Sequence, residues 1–492
     1  MQSLSKTDTN AKQLFDIFLQ SVQSSIVRTI ARDSRFIVRS RKMEPFILLR
    51  AFVEVMGTDK EFSISSIYER YVQICIKEKQ EFMKWEPFYD FLVKKEFVLF
   101  VDRLYEVVNT AALEQDFSEG AELVKVLKER LSKLKGIVLQ DGSEVATNSS
   151  SYKEKVTPQI KLHATLDLGS LAMKKSKITS GVKSERACIN VSQLANYLLI
   201  ADAGYPALKL FRSIEYYHGF YLIKLTTAST LAVTEAYKIE EDGTATKQEV
   251  IEKGKVHRYG DHVGSDKFKD GCTHDFKVAT AKVKALDNIS KYSFRVVKVY
   301  LPENAPAQEL QGSGVDTYVE RGKTVSKRFV LLATNIPADV ADAEQIAQLY
   351  RARWSVEIGF RIHKGFCGLK KTLTKNKNLA KALVVMSQIV YTLKLLLAQG
   401  MERITGKVLS PKKTAHNGSI VLNEILSLLA HKQKCLNSIK QWSERFSCWT
   451  KSKPSYINRL KRKGLSCIID VLRKPPIKLE GKSIGTSTSC VS

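Results

Sequence analysis

The amino-terminal stretch MQSLSKTDTNAKQLFD lacks the apolar segment of a secretion signal, so nothing in it predicts export. The longest apolar run, ALVVMSQIVYTLKLLLAQG, is interrupted by Ser387, Gln388 and Lys394. A buried core helix is therefore predicted there rather than a membrane span. Lipidation signals and a clear amphipathic anchor are missing too. These absences favour a cytoplasmic protein, and a mean hydropathy of -0.18 suits a folded one.

Cysteine pairs at metal-binding or redox spacing are also missing. The eight cysteines are scattered without any CxxC pair, which is typical of reduced cytosolic thiols. His257, His262, Cys272 and His274 lie near one another in a stretch rich in glycine and charge. Their spacing fits no standard zinc pattern, so a solvated loop is favoured over a metal site.

Acidic residues are in the minority. The chain has 78 Lys and Arg residues against 51 Asp and Glu, which gives a net charge of +27. This excess indicates a polyanionic partner, most often nucleic acid. From Met401 onward there are 18 basic and 5 acidic residues, with Trp442, Phe446, Trp449 and Tyr456 interleaved. Surfaces that contact phosphates and bases use this mixture, although a solubilising tail has the same composition.

The first 125 residues carry helical patterns. AKQLFDIFLQSVQSSIVRTIARD and MEPFILLRAFVEVMG space their apolar residues by three and four. The basic connection RDSRFIVRSRKM lies between them. An ordinary helical bundle with a charged loop fits this pattern, and the charge of the whole chain favours DNA contact by it.

An alternation of strands and helices follows, which predicts an α/β core. KGIVLQDGS, IKLHATLDLGS, YLLIADAGY and FYLIKLTT are strand-like, and Pro206 opens a predicted helix. The buried strand KRFVLLATNIP resumes the core, and Asp342 precedes Gln345 at capping-box spacing. We divide the chain into a helical amino-terminal DNA-binding domain (1–125), a first core segment (126–225), a β-rich insertion (226–325), a second core segment (326–400) and a basic DNA-binding or dimerisation segment (401–492).

Two aspartates stand where strands of an α/β core present functional groups. Asp141 and Asp202 each follow an apolar run. Taken singly, each aspartate is weak evidence for a functional site. Asp141 precedes a glycine, as turn residues often do, and Asp202 could cap or bend the loop into the next helix. Asp167 competes for the first position, since it too ends a strand-like stretch.

A polar stripe marks the segment YRARWSVEIGFRIHKGF. Tyr350, Arg353, Glu357 and Lys364 stand at offsets of 0, 3, 7 and 14. On a helix, at about 100° per residue, these four side chains fall within roughly 60° of one another. Leu349, Val356 and Phe360 form a separate apolar stripe that is predicted to face the core. The polar stripe therefore needs a ligand.

Three carboxylates without histidine or cysteine suit a hard divalent cation such as Mg²⁺ or Mn²⁺. Asp141, Asp202 and Glu357 form that set, and two ions about 3.5–4 Å apart can clamp the attacking and leaving oxygens of a phosphodiester displacement. Arg353 can fork onto a phosphate, Lys364 supplies a point charge, and Tyr350 adds a hydroxyl and a ring.

These residues resemble the YREK signature of bacterial insertion-sequence transposases of the DDE class, spacing for spacing. Asp141 in VLQDGS and Asp202 in IADAGY resemble that family's first and second aspartates, and Glu357 its third metal ligand. KLHATLDLGS is similar to the family's second strand, which makes Asp167 a structural residue. The resemblance covers roughly residues 20 to 400.

The resemblance implies a ribonuclease H-like catalytic core and cut-and-paste movement. Water nicks the end of the element, and the freed 3′-hydroxyl attacks target DNA. It also implies a homodimer on paired inverted repeats, recognition of the repeat by the amino-terminal domain, and a bacterial cytoplasmic protein that is nucleoid-associated on DNA. Several relatives pass through a hairpin at the DNA end and stack a flipped base on an aromatic residue of the insertion, commonly a tryptophan. Here all four tryptophans lie outside the insertion: Trp85, Trp354, Trp442 and Trp449. Either a Tyr or Phe of the insertion takes that place, or the hairpin step is handled otherwise. The alternatives to a transposase are another two-metal nuclease of the same fold and a non-catalytic DNA-binding inhibitor derived from a transposase.

Overall fold

A computed structural model describes most of the chain. The described residues are 6–38, 43–58, 62–147, 159–180, 183, 186–225, 232–239, 245–248, 273–279, 292–301, 314–320, 323–369, 371–372, 374–430, 441–442 and 465–477.

The described residues up to 180 form helices followed by strands. In chain order they are α1 (Lys6–Val22), α2 (Ser24–Asp33), α3 (Pro45–Thr58), α4 (Ile64–Lys77), α5 (Trp85–Leu92), α6 (Lys95–Leu113), α7 (Ser118–Arg130), β1 (Gly136–Thr147), β2 (Gln159–Asp167) and β3 (Met173–Ser180).

Strands dominate the next part, and helices return after it. The elements are β4 (Tyr197–Ala201), α8 (Leu208–Tyr216), β5 (Phe220–Leu225), β6 (Ala232–Ile239), β7 (Ala245–Gln248), β8 (Thr273–Ala279), β9 (Ser293–Tyr300), β10 (Gly314–Glu320), β11 (Lys323–Thr334), α9 (Ala343–Tyr350), α10 (Trp354–Phe366), β12 (Lys371–Thr372), α11 (Lys377–Thr405), α12 (Pro411–Asn417), α13 (Ser419–Ala430) and α14 (Leu465–Arg473).

The chain divides into two compact units, each made of three segments. The helical unit comprises Met1–Ala121, Asp141–Cys188 and Ser355–Lys453. The sheet unit comprises Glu122–Gln140, Ile189–Trp354 and Pro454–Ser492.

The helical unit is built around α11. Asn376 caps its start by accepting a hydrogen bond from the backbone N–H of Leu379 (3.0 Å), and Gly406 ends it with a left-handed φ of 64°. In the part of the chain that the structure describes, α11 is the one helix long and apolar enough to cross a membrane, and its apolar window is entirely buried. The prediction of a buried core helix is confirmed. Lys394, which interrupts the apolar run, is itself 2% exposed.

The amino-terminal helices follow the predicted apolar spacing. α1 and α2 cover the first predicted helical stretch, and α3 covers the second. Leu14, Phe18 and Phe52 are fully buried in one apolar cluster that also contains residues of α11. Of the predicted basic connection, residues 39–42 lie outside the described residues.

The sheet unit contains a mixed β-sheet. The first residues of β1 pair in parallel with β4, and β4 pairs in parallel with β5. β11 runs antiparallel to β5 and continues through β9, β8, β6 and β7, while β10 pairs with β11. The strand-like runs YLLIA, FYLIKL and KRFVLLAT are strands here, so the prediction of a mixed α/β chain is confirmed.

The helix after β4 starts later than predicted. Pro206 does not open it, because α8 begins at Leu208 with Ala207 in an extended conformation as its cap residue. The backbone N–H of Tyr205 bonds to the carbonyl oxygen of Asp202 (3.3 Å), so a turn occupies the residues just before Pro206. The helix starts only after this turn.

Candidate active site

The parallel pairing of β1 with β4 sets the backbone positions of two aspartates. The register joins Gln140 to Ala201, and the preceding pairs run back to Gly136 and Tyr197. Ile137, Val138 and Leu139 are fully buried, as are Leu198, Leu199 and Ile200, which is typical of parallel strands covered on both faces. Asp141 and Asp202 are the next residues after this aligned pair, and both are partly buried.

Asp141 differs in one respect from its prediction. It was expected just past the end of a strand, but β1 continues through it to Thr147. In this continuation Ala146 and Thr147 pair in parallel with β12, which lies more than two hundred residues further along the chain, and β2 is a neighbour of β1 in the sheet. One carboxylate oxygen of Asp141 accepts a hydrogen bond from the N–H of Gly142 (2.8 Å).

Asp202 follows the last residue of β4, as predicted. Its Oδ1 accepts a hydrogen bond from the N–H of Gly204 (2.8 Å), which is an Asx-turn. This bond fixes the direction of the carboxylate at the end of the strand.

Asp167 has a structural task. Its Oδ1 accepts hydrogen bonds from the N–H and the hydroxyl of Ser170 (2.8 and 3.0 Å), and its backbone N–H bonds to the carbonyl of Ala172 (2.8 Å). The carboxylate therefore holds the turn between β2 and β3, and these bonds fit the expectation that Asp167 is a structural residue.

The polar stripe is not on one continuous α-helix, which corrects the prediction. α9 ends at Tyr350, residues 351–353 form a 3₁₀ turn, and α10 begins at Trp354. The angular argument that grouped the four side chains assumed an unbroken helix. The predicted capping box is present, because Asp342 Oδ1 accepts from the N–H of Gln345 (2.9 Å) and Gln345 Oε1 accepts from the N–H of Asp342 (3.2 Å).

Tyr350 and Arg353 lie together in the sheet unit. The guanidinium carbon of Arg353 is 5.9 Å from the centre of the Tyr350 ring, within the range of a cation–π contact. The turn of residues 351–353 packs against β4, the strand that ends before Asp202. Both side chains are partly buried.

Glu357 and Lys364 occupy opposite ends of α10. Glu357 is in the first turn and Lys364 in the last, where the helix dipole favours a negative and a positive charge respectively. Arg361 Nη2 lies 4.0 Å from Glu357 Oε2, and the Glu357 side chain is 20% exposed. Sequence reasoning missed Arg361, although its position four residues after Glu357 is the spacing of helical ion pairs. The apolar stripe is confirmed: Leu349, Val356 and Phe360 are buried.

The end of α10 is anchored by the buried side chain of Lys394. Its ammonium group donates hydrogen bonds to the carbonyl oxygens of Phe366 (2.8 Å), Gly57 (2.7 Å) and Ala415 (2.7 Å). These residues lie in the last turns of α10, α3 and α12, where carbonyl groups have no intrahelical partner. Burial lowers the pKa of Lys394, and the Cys367 thiol opposes that change. One cation thus joins three helix ends.

His363 is fully buried in the middle of α10. Its ring centre lies 4.0 Å from that of Tyr391 on α11, and neither ring nitrogen has a hydrogen-bond partner among the residues that the structure describes. Burial lowers the pKa of His363 to about 3 and raises that of Cys367 to about 11. The imidazole is therefore neutral and acts as a packing group.

The three predicted metal ligands suit a divalent cation by their chemistry. Asp141, Asp202 and Glu357 offer only oxygen donors, which Mg²⁺ and Mn²⁺ prefer. Among the described residues, no three His, Cys, Asp or Glu side chains are gathered closely enough to form a ready metal site. The prediction of a metal site therefore rests on the oxygen donors of the three carboxylates. It also rests on the position of the two aspartates, each directly after a member of the last residue pair of β1 and β4.

Other predicted features have mixed outcomes. Trp442 is 7% exposed and belongs to the apolar cluster of the helical unit, so it is a core residue and not part of a DNA-contacting surface. Phe446, Trp449 and Tyr456 lie outside the described residues, as do His257, His262 and Cys272. His274 is in β8.

The amino-acid sequence is similar to a known protein family and to curated proteins. The Transposase DDE domain profile matches residues 132–393, just over half of the chain. A segment of 53 residues is 43% identical to the putative transposase InsL of insertion sequence element IS186A from Escherichia coli strain K12. The transposase of insertion sequence element IS421 from Escherichia coli matches equally, at 43% over 53 residues. Each alignment covers 11% of this chain and 14% of the relative's length. The extent of the profile match shows that the chain belongs to the Transposase DDE domain family.

Proposed function

We propose that the protein is a DNA transposase of the YREK-signature group, which cleaves DNA at the ends of its element and joins the freed ends to target DNA. The register that places Asp141 and Asp202 directly after the paired residues Gln140 and Ala201 carries this proposal. A ribonuclease H-like core, in which parallel strands present carboxylates, accounts for that arrangement.

Asp141, Asp202 and Glu357 are the proposed ligands of divalent ions, with two Mg²⁺ expected and Mn²⁺ as a substitute. When bound, such ions make a water or a 3′-hydroxyl nucleophilic and neutralise charge on the leaving oxygen. The contribution of the chain is to hold the carboxylates. The Asx-turn fixes Asp202, β1 fixes Asp141, and the first turn of α10 holds Glu357.

Tyr350, Arg353 and Lys364 are the proposed DNA-phosphate contacts. Arg353 donates through a planar fork that matches two phosphate oxygens, and its contact with the Tyr350 ring limits the directions that the fork can take. Lys364 adds a positive charge at the end of α10, where the helix dipole favours it.

The proposed partners are double-stranded DNA, as inverted repeats and as target, and a second copy of the chain. A net charge of +27 favours a polyanionic partner. We assign repeat recognition to residues 1–125 and a role in synapsis or dimerisation to residues 401–492. The bacterial cytoplasm, at the nucleoid, is the proposed location.

A cleavage assay tests the proposal. A labelled duplex that carries the boundary of the element is incubated with the protein and Mg²⁺, Mn²⁺ or EDTA, and a second plasmid is present as target. The proposal predicts metal-dependent cuts at the boundary and joined products in the plasmid. Cuts without joined products would favour another two-metal nuclease. Salt-sensitive binding without any cut would favour a non-catalytic inhibitor.

A further inference from the structure

The carboxy-terminal helix α14 ends against other parts of the sheet unit. The last carbonyl groups of a helix have no partner within it. In α14 they are bonded by two side chains from distant parts of the chain. Arg130 Nη2 donates to the carbonyl oxygens of Leu472 and Lys474. Gln345 Nε2 donates to those of Val471 (3.1 Å) and Lys474 (2.8 Å). The end of α14 is therefore held by specific donors.

The same two side chains belong to the start of α9. Gln345 closes the capping box of that helix with Asp342 and is 2% exposed. Arg130 Nη1 donates to Gln345 Oε1 (3.0 Å) and to the carbonyl oxygen of Val340 (2.9 Å). The chain beyond α14 joins the network as well, because the N–H of Ile477 donates to Asp342 Oδ2 (3.0 Å). One hydrogen-bond network thus links the end of α14 to the beginning of α9.

The apolar face of α14 extends this contact toward the signature residues. Ile468, Ile469 and Leu472 are buried. The helix packs against α9 and against the 3₁₀ turn 351–353, which contains Arg353. α9 has only eight residues, so a constraint at its start is transmitted over about two turns to Tyr350.

We infer that residues 465–477, here named the C-terminal clamp, position Tyr350 and Arg353 for their contact with DNA phosphate, and that Arg130 is the positioning residue that closes the clamp. The inference rests on the proposed function, since it assumes that Arg353 contacts phosphate. It gives part of the basic carboxy-terminal segment a task within its own sheet unit.

A double-mutant cycle tests the coupling between Arg130 and Arg353. Arg130→Met keeps the aliphatic stem and removes every donor. The apparent affinity for the end duplex and the single-turnover cleavage rate are measured for Arg130→Met, Arg353→Gln and the double variant. We expect each single variant to lose about tenfold in affinity, as for a lost charge-assisted hydrogen bond. The double variant is expected to be within about twofold of Arg353→Gln, because the clamp acts through Arg353.

Arg473→Ala is the matched control. This substitution also removes a positive charge from the clamp. In the unchanged protein the guanidinium of Arg473 forms an exposed ion pair with Glu122 (2.6 Å), and such a pair contributes little to stability. Whatever its own effect on affinity, Arg473→Ala should combine additively with Arg353→Gln. If the affinity losses of Arg130→Met and Arg353→Gln also multiply in the double variant, the two residues act independently. In that case the clamp does not position Arg353 and the inference is overturned. If Arg353→Gln alone has no effect, the phosphate assignment in the proposed function fails instead.

A pair of shortened chains gives an independent test. A protein that ends at Ile477 keeps the clamp, and one that ends at residue 464 loses it. We expect the second to lose about tenfold in affinity relative to the first, the same loss as that of Arg130→Met relative to the full chain. Thermal unfolding of each chain above the assay temperature establishes that it is folded. Equal affinity of the two folded chains would overturn the inference.

Discussion

Gln140 and Ala201 are paired across the parallel strands β1 and β4, and each is followed by an aspartate. The two aspartates therefore directly follow residues that are neighbours on adjacent strands. Three consecutive residues of each strand before this pair are fully buried, as in parallel strands covered on both faces.

The first prediction concerns these aspartates. Asp141→Asn and Asp202→Asn keep the size and one oxygen of the side chain but remove the charge that would hold a metal ion. Each should lower the rate of DNA-end cleavage more than about 100-fold and leave DNA binding intact. Single-turnover cleavage and filter binding measure the two effects.

Asp167→Asn is the control for these variants. The amide oxygen still accepts the hydrogen bonds that Ser170 gives to Asp167, so cleavage should remain close to the wild-type rate. A 100-fold loss in Asp167→Asn would mean that Asp167, and not Asp141, is the first ligand.

The second prediction concerns Lys364. If it contacts phosphate, Lys364→Gln should weaken binding to every DNA sequence alike and lower the slope of log affinity against log salt by about 1. Lys381→Gln is the control, because Lys381 forms an ion pair with Asp102 (2.9 Å) at the surface of the same unit. Equal slopes for the two variants would remove Lys364 from the interface.

The third prediction concerns the buried ammonium of Lys394. Lys394→Met should lower the free energy of unfolding by about 3 kcal/mol, since the carbonyl groups of Phe366 and Ala415 lose a buried donor. It should also slow cleavage in the folded protein, because the end of α10 is released.

Gln399→Met provides the comparison for Lys394→Met. Gln399 lies on the same helix, is fully buried and donates to the carbonyl oxygens of Ala112, Gln115 and Ser170, none of which is in α10. Its loss should destabilise the fold and spare the cleavage rate at temperatures where the protein is folded. Equal slowing in both variants would contradict a specific effect on α10.

The fourth prediction is a pH dependence of stability from His363. Its pKa is about 3 in the folded protein against 6.5 for an ordinary histidine. Between these values the unfolded chain binds the proton and the folded chain does not, so stability falls as the pH falls below about 6.5. From pH 7 to pH 5 the loss from this group is about 2 kcal/mol.

His363→Phe keeps an aromatic ring beside Tyr391 and cannot take up the proton. Urea unfolding at pH 7 and pH 5 should show a smaller loss in the variant than in the wild type, by about 2 kcal/mol. An equal loss in both proteins would show that His363 is accessible to protons in the folded state.

Local signals in the sequence were sufficient for several parts of the structure. The spacing of apolar residues predicted α1, α3 and α11, and the polar cap pair Asp342 and Gln345 predicted the start of α9. Each of these signals lies within the element that it specifies, so no knowledge of distant contacts was needed.

Distant contacts determine what the sequence did not reveal. The extension of β1 beyond Asp141 pairs with the distant strand β12, and β1 also neighbours β2 in the sheet, whereas the residues DGSEVAT have no apolar pattern of their own. The break between α9 and α10 lies where the 351–353 turn packs against β4 and α14. The bonds from Arg130 to Leu472 and Lys474 span more than 340 residues. Neither periodicity nor capping signals contain such information.

The comparison of wild type with Glu357→Gln tests the central claim most directly. The duplex end of the element is cut in Mg²⁺ at matched DNA occupancy, with Glu344→Gln as a control that removes a carboxylate from the first turn of the preceding helix. We predict that wild type and Glu344→Gln cut at the element boundary, while Glu357→Gln binds the duplex and does not cut it. Cutting by Glu357→Gln at the wild-type rate would contradict the assignment of Glu357 as a metal ligand.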